Sequence, residues 1–390
     1  MGTPDPLIPE KPLIIVCANQ AWNLVNFREG LIRALIAEGN RVMAVSPPDE
    51  AMEARLLAMG CSFTAAPIDA MGLSPLRDLR TLLALLRIIR RYRPAAWLSW
   101  TIKPNVYGAL VAGWSGVPAL PNVSGLGTAF IRRNLLTALV KWLYRTGFSR
   151  APVVFFQNDD DRALFVGERM VRAQQAQLLP GSGIDPDDWA PLTAERPPRR
   201  QFLMLARVVA DKGVREYVAA ARAVRSRWPD ARFTLMGFLD VANRTAISRA
   251  EVDSWIAEGV IDYLPPVSDV RPAIAAADFV VLPSYREGLS RVLLEASALA
   301  RPIVTCDVPG CRDIVSDGVN GFLCAARDAA SLEAALERAA RCEDDDWQRM
   351  ARNGREQVIA RFSLAKVTQI YVNALKLVRK AAGDDRGLAS

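Results

Sequence analysis

An α/β fold of two parallel-sheet domains is the expectation for this chain, and three observations carry it. Short apolar runs alternate with stretches of helical composition along most of the length. At 390 residues the chain is too long for one ordinary core and suits two of nearly equal size. Between the two series lies Asp185 to Arg200, rich in Pro, Asp and Arg, which reads as a linker.

The first series opens with a βαβ unit. Leu13 to Cys17 is an apolar strand, Phe27 to Glu38 a helix closed by Gly39, and Arg41 to Ser46 a second strand. Strand signals recur at Val153 to Gln157 and Leu178 to Pro180, so the first domain is expected over residues 1–188. The second series starts at Gln201 and runs to about Arg361, which places the second domain at 195–361. A last helical stretch spans Leu364 to Lys380. No G-x-G-x-x-G follows the first strand, which removes the main sign of a nicotinamide dinucleotide site.

Composition narrows the chemistry. With 51% hydrophobic and 23% charged residues the chain is of globular type. It contains no uninterrupted apolar stretch of the roughly eighteen residues a membrane span needs. Met1 to Lys11 is Pro-rich and carries acids, unlike a signal peptide, so a cytosolic location is expected. The six cysteines form no C-x-x-C pair, and several sit in strand-like apolar runs as small hydrophobes rather than disulfide partners. There is no histidine. Imidazole bases, histidine relays and histidine metal sites are therefore excluded, and catalysis rests on carboxylates, cations and backbone dipoles.

The most informative stretch is Pro283-Ser284-Tyr285-Arg286-Glu287-Gly288-Leu289-Ser290, continued by Arg291 to Ala296. It sets Glu287 and Glu295 eight positions apart across a strand-to-helix junction. Phe279 to Leu282 is the strand, Pro283 ends it, and Arg291 to Ala300 is helical in composition. Gly288, Leu289 and Ser290 then lie at a helix mouth, where unpaired N–H groups and the helix dipole favour phosphate. Upstream, the apolar run Phe202 to Ala206 leads into Arg207 and then Lys212-Gly213, two cations just past a strand end.

This string resembles retaining glycosyltransferases of family four, which have the GT-B fold of two Rossmann-like domains facing each other across a cleft. Val308 to Asp313 and Asp317 to Phe322 follow in the family's order, and the resemblance covers roughly residues 200 to 325. It implies that Glu287 contacts the donor sugar, Glu295 holds the ribose hydroxyls, and Arg207 and Lys212 hold the diphosphate. Glu287, Arg207 and Lys212 are thus the catalytic candidates. Glu295, Gly288, Leu289, Ser290 and Arg291 are the donor-binding ones. The N-terminal half, at Ala21 to Arg28, Thr101 to Asn105, Asn122 to Gly127 and Phe156 to Asp161, is similar to bacterial enzymes that extend sugars on undecaprenyl diphosphate. That likeness implies acceptor contacts at Lys103, Asn105 and Asn122, and the fold implies that helix 364–380 returns to the first domain. Many relatives carry a histidine near the sugar, whereas Trp97 to Thr101 has none, so its role has no bearer here.

Charge is distributed unevenly. From Leu79 through Asn158 there is no acid but eleven Lys and Arg, and subtracting these from the formal +7 leaves −4 for the remainder. A local anionic partner is implied. Arg80, Arg87 and Arg91 share a helical stripe beside leucines, as do Arg133, Lys141 and Arg145. Such helices lie on anionic bilayers, and Arg87, Arg91, Lys141 and Arg145 are the membrane-docking candidates. Two ordinary helices with solvated Arg faces are the alternative. Asp159-Asp160-Asp161 reads either as a helix cap before Val166 or as a metal cluster, and the cap has more support. Gly181-Ser182-Gly183 suits a donor contact or a hinge equally.

These expectations combine into a retaining glycosyltransferase that moves a hexose or N-acetylhexosamine from a UDP-sugar to an undecaprenyl-diphosphate-linked saccharide. It would need no metal or other cofactor, bind no nucleic acid, and sit peripherally on the inner face of the cytoplasmic membrane. Rivals are a sugar-nucleotide epimerase or phosphorylase on the same fold, and a non-catalytic protein that binds anionic membrane or nucleic acid through the basic stretch. The rival binding protein leaves the two Glu, the Arg and the Lys unexplained, and no aromatic-basic RNA motif is present.

Overall fold

The computed structural model describes residues 11–69, 74–126, 135–193, 195–241 and 243–387. They divide into two compact units, one from residues 1–182 with 364–390, the other Gly183–Ser363.

In the first unit, β1 (Leu13–Cys17), β2 (Arg41–Ser46), β3 (Ser62–Ala65), β4 (Ala96–Trp100), β5 (Ala119–Val123), β6 (Val154–Phe156) and β7 (Ala176–Leu178) form one sheet. Its order is β3-β2-β1-β4-β5-β6-β7 with parallel pairing throughout. β1, β4 and β5 are buried at every position, as strands covered on both faces must be. Alternate residues serve two cores. Ile15 and Cys17 join one with helices α3 (Pro75–Tyr92), α4 (Ala109–Trp114) and α5 (Leu135–Phe148), together with Phe165 of α6 (Asp159–Gly167). Ile14 and Val16 join the other with α1 (Ala21–Ala37), α2 (Glu50–Ala58) and the last helix of the chain, Leu364–Gly387. α1 starts at Ala21 rather than Phe27, because Ala21, Leu24 and Val25 extend its buried stripe.

The second unit holds β8 (Gln201–Leu205), β9 (Arg232–Met236), β10 (Asp262–Leu264), β11 (Phe279–Leu282), β12 (Ile303–Cys306) and β13 (Gly321–Cys324), all parallel, in the order β10-β9-β8-β11-β12-β13. Around it lie α7 (Val214–Arg227), α8 (Arg249–Ala257), α9 (Arg271–Ala276), α10 (Arg291–Ala298), α11 (Ala329–Ala340) and α12 (Asp344–Phe362). The last helix, α13 (Leu364–Gly387), belongs to the first unit, where Val367, Tyr371 and Leu375 are buried. No described helix is long and apolar enough to cross a membrane.

The expected linker is not a free connection. The division falls between Ser182 and Gly183, and the segment after it is fastened to the second unit. Arg196 Nε donates to Asp278 Oδ1 at 2.9 Å and its Nη2 to Oδ2 at 3.1 Å, while the Arg200 amide donates to the same Oδ2 at 2.7 Å. Arg199 donates to the Cys342 carbonyl, and Arg355 on α12 to the Trp189 and Pro186 carbonyls. The arginines that make the segment look like a polar linker are its anchors. Asp278 is fully buried; burial pushes its carboxyl pKa up, and Arg196 only partly offsets this.

Removing this buried carboxylate strips three donors of their acceptor and leaves the buried Arg196 guanidinium with only the exposed Asp344 as counter-charge. Asp278→Ala is therefore expected to cost about 3–5 kcal/mol of stability, read by urea unfolding of the full chain. A loss below about 1 kcal/mol would show that Asp344 and water suffice for Arg196.

Candidate active site

In the second unit the strand order reverses between β8 and β11. In open parallel sheets a ligand lies outside the carboxyl ends of the strands at such a reversal, because the two loops part there. Here the loops are in backbone contact. Gly213, after a short turn Ala210–Lys212, has φ +76°, and a Cβ on it would stand 2.1 Å from the Pro283 carbonyl oxygen. The Tyr285 amide donates to the Asp211 carbonyl at 3.0 Å. This crossing puts Lys212 Nζ against Glu287 Oε1.

Glu287 is held from several sides. Ser284, fully buried, donates its hydroxyl to the same Oε1 at 2.6 Å. The Glu287 amide donates to the Pro309 carbonyl at 3.1 Å. Gly310 has φ +78° and no room for a Cβ, since the Glu287 and Gly288 carbonyl oxygens lie 2.6 and 2.7 Å from that position. With Oε1 occupied twice, Glu287 Oε2 has no partner among the described residues. Arg207 is exposed just past β8, and its side chain likewise has no hydrogen-bond or ion-pair partner among the described residues.

At the start of α10 the expected cluster of open amides is smaller than the sequence implies. The Ser290 amide donates to the Gly310 carbonyl at 3.1 Å, and its hydroxyl caps the helix by accepting from the Leu293 amide. The Leu289 amide has no partner among the described residues. Glu295 lies one turn inside the helix. Its carboxylate accepts from Arg291 Nε at 2.8 Å, and Arg291 Nη1 donates to the Gly183 carbonyl at 2.8 Å. Burial raises the Glu295 pKa, and Arg291 opposes the rise. Arg291 is thus placed to orient Glu295. Tyr285 donates to Glu216 Oε1 at 2.6 Å beneath the Arg327 guanidinium, a contact absent from the sequence expectations because its partners are distant in the chain.

The expected acceptor residues, in the first unit, have structural partners. Lys103 Nζ pairs with Asp78 Oδ1 at 2.7 Å, both side chains being 14% exposed. Asn105 Nδ2 donates to the Asn122 carbonyl at 2.7 Å, and Asn122 Nδ2 to the Tyr371 hydroxyl at 2.9 Å. Asn105 and Asn122 are buried, and their amide nitrogens tie the segment after β4 to β5 and β5 to α13, while neither Oδ1 has a partner among the described residues. The docking candidates divide. Arg87 and Arg91 are exposed on α3. Lys141 pairs with Glu168 at 2.8 Å, and Arg145 donates to the Glu168 and Arg169 carbonyls at 3.0 Å, where a cation suits the end of α6. Glu168 lies just beyond the acid-free window, so the sequence window hid the partner. Arg132 and Arg133 lie outside the described residues. Asp159, Asp160 and Asp161 occupy the first turn of α6, and Asn158 accepts from the Asp161 amide at 2.7 Å. Among the described residues no cluster of acids or cysteines suited to a metal ion is present.

Residues 199–341 match the family model for glycosyl transferases group 1. The chain is a glycosyltransferase. Over 327 residues it is 26% identical to the N,N'-diacetylbacillosaminyl-diphospho-undecaprenol alpha-1,3-N-acetylgalactosaminyltransferase of Campylobacter jejuni, covering 80% of this chain and 84% of that one. It is 21% identical over 324 residues to the UDP-Gal:alpha-D-GlcNAc-diphosphoundecaprenol alpha-1,3-galactosyltransferase of Escherichia coli, covering 79% and 82%. Among solved structures, Anabaena HepE in complex with UDP-glucose superposes with a TM-score of 0.77 at 17% identity, over 93% of this chain and 99% of that one. That likeness shows the GT-B fold of this glycosyltransferase.

Because Gly310 presses on the backbone that carries Glu287, its replacement tests how tightly the site is built. Gly310→Ala forces a side chain into a left-handed residue against two carbonyls and is expected to destabilise the glycosyltransferase by about 1–3 kcal/mol in urea unfolding. An unchanged midpoint would mean that the Pro309–Gly310 loop moves aside freely.

Proposed function

We propose that this glycosyltransferase moves a sugar from a UDP-sugar onto a diphospho-undecaprenol-linked saccharide with retention of the anomeric configuration, at the inner face of the cytoplasmic membrane. The observation that carries the donor half is the Lys212–Glu287 contact at the strand reversal, with Glu287 Oε2 open and the unpaired side chain of Arg207 on the same loop as Lys212. The acceptor half is supported by two relatives, aligned over about four fifths of the chain, whose names specify diphospho-undecaprenol-linked sugars.

The residues divide the work. Before the donor arrives, Lys212 and Glu287 neutralise each other, so neither is a buried unpaired charge. An arriving diphosphate offers Lys212 a second anion, and Arg207 completes the neutralisation; both then stabilise the charge that builds on the leaving group. Glu287, fixed by Ser284 and the Pro309 carbonyl, turns Oε2 to hydroxyls of the donor sugar. Glu295, oriented by Arg291, accepts from the ribose hydroxyls. The Leu289 amide supplies a phosphate donor at the helix mouth. Same-face attack, with the leaving phosphate taking the acceptor proton, needs no imidazole, in keeping with a chain that has none. An epimerase or phosphorylase on this fold is a weaker reading, since the relatives aligned over most of the chain are named as sugar transferases.

The test is product analysis with a panel of UDP-sugars and a polyprenyl-diphosphate-linked saccharide, alongside thermal unfolding with UDP. UDP at a hundred times its Kd is expected to stabilise the protein by about 2.7 kcal/mol. No shift and no product from any donor would sink the reading. Lys212→Ala is expected to lower kcat by about 10²- to 10³-fold. Glu295→Ala is expected chiefly to weaken UDP binding, by about 10- to 100-fold, through a lost charged hydrogen bond. Near-normal kcat in Lys212→Ala would remove it from leaving-group stabilisation. Because the proposed neutralising groups are protein cations, activity is expected to survive EDTA; a strict divalent-cation requirement would assign that role to a metal instead.

A further inference from the structure

The outward face of α3 is not used by the sugar-transfer reading. The helix packs inward through Leu85, Ile88 and Ile89, and its one acid, Asp78, also turns inward, to Lys103. What remains outside is leucine and arginine. Leu76 is 81% and Leu79 52% exposed, and Leu83 is exposed as well. Arg80, Arg87 and Arg90 are exposed and have no acid or hydrogen-bond partner among the described residues. At 100° per residue, Leu76, Arg80, Leu83 and Arg87 fall within an arc of about 60°.

This pattern differs from an ordinary solvated face, where acids and bases alternate and pair three or four positions apart. Most of the other cations of the chain that show partners are matched to acids, as in Arg215–Glu251, Arg222–Glu258 and Arg249–Asp240. On α3 the complement of the bare cations is an external anion, and the complement of the leucines is hydrocarbon. Only a lipid surface supplies both. α4 packs against both α3 and α5, and these neighbours expose Trp114 and Trp142, side chains suited to the polar–apolar boundary of a bilayer.

We propose that the outward face of α3 docks the enzyme on an anionic lipid bilayer, with Leu76, Leu79 and Leu83 entering the acyl boundary and Arg80, Arg87 and Arg90 on the headgroups. The arginine stems lie along the apolar layer while their heads stay in the charged one. Relative to the docking set expected from sequence, Arg87 stays, Arg80 and Arg90 take the place of Arg91, which lies over the Tyr92 ring, and Lys141 and Arg145 of α5 are occupied within the fold. The surface does not depend on the donor or acceptor assignments, so its test needs no substrate.

The experiment is co-sedimentation of the full chain with vesicles of phosphatidylglycerol and phosphatidylcholine, and with phosphatidylcholine alone. Binding is expected to the anionic vesicles only, and to fall as salt rises. Each basic residue near such a surface contributes on the order of fivefold in affinity, so R80Q/R87Q/R90Q is expected to lower partitioning by about 10²-fold. L76S/L79S/L83S, at unchanged charge, is expected to lower it by about tenfold or more. Removing equal charge from the second unit with R215Q/R222Q/R249Q is expected to change nothing. Absence of wild-type binding, full binding by the arginine variant, or full binding by the leucine variant, which is the result for a charge-only surface such as one for nucleic acid, would each overturn the proposal. Should the triple leucine variant unfold, L76C carrying an environment-sensitive dye replaces it, since the native cysteines are buried. A blue shift on anionic vesicles is expected, and none refutes insertion. Transfer to a short water-soluble acceptor, unaltered in the arginine variant, separates failure of docking from failure of the transferase reading.

Discussion

The site depends on two loop backbones passing closer than side chains allow. Gly213 meets the Pro283 carbonyl directly, and the Tyr285 amide closes the contact on Asp211. With that crossing in place, a cation from the loop after β8 and a carboxylate from the loop after β11 have nowhere to go but together. The pairing of Lys212 with Glu287 is therefore a product of topology. The strand reversal brings the loops side by side, and a residue without a Cβ lets them touch. The surrounding charges are arranged around this pair: Ser284 fixes one oxygen, Arg207 stands open, and Arg291 compensates the second, buried carboxylate.

The parts of this arrangement that were legible in the sequence are local. A strand ending at Pro283, an acid in the loop, a helix opening at Ser290 and a second acid on that helix span few residues, so chain order nearly dictates their geometry. The alternation of buried strands and helices was legible for the same reason, and it placed both sheets. The rest depends on partners far apart. Nothing near Asp278 announces Arg196, nothing near Asn122 announces Tyr371, and Glu216 gives no hint of Tyr285. Asn105 and Asn122 are a further case. Polar residues at the carboxyl ends of strands suit a ligand, and here, among the described residues, only the amide nitrogens of their side chains are engaged within the first unit, one of them by the distant Tyr371. The linker expectation failed because arginines read as solvated when their acids lie about eighty residues away.

Charge counting met the same limit from the other side. The acid-free window takes in Arg80, Arg87 and Arg90 of α3, whose side chains lack partners among the described residues, but it stops short of Glu168, which takes Lys141. A window in sequence measures composition, whereas a field at a surface depends on what folds against it. The two basic helices, alike as strings, therefore differ in what they can attract.

The return of α13 to the first unit has a consequence for how the protein is made. Tyr371 packs against Trp100 and Phe155 and takes the Asn122 amide, so the first core lacks a wall until the last stretch of chain exists. The second unit, contiguous from Gly183 to Ser363, is complete before that. On a ribosome the half synthesised later finishes folding first, while the earlier half waits with Trp100, Phe155 and the outer side of β5 uncovered. Chaperone demand during synthesis should then fall on the amino-terminal half, and a fragment ending at Ser182 would be a poor stand-in for the unit it belongs to.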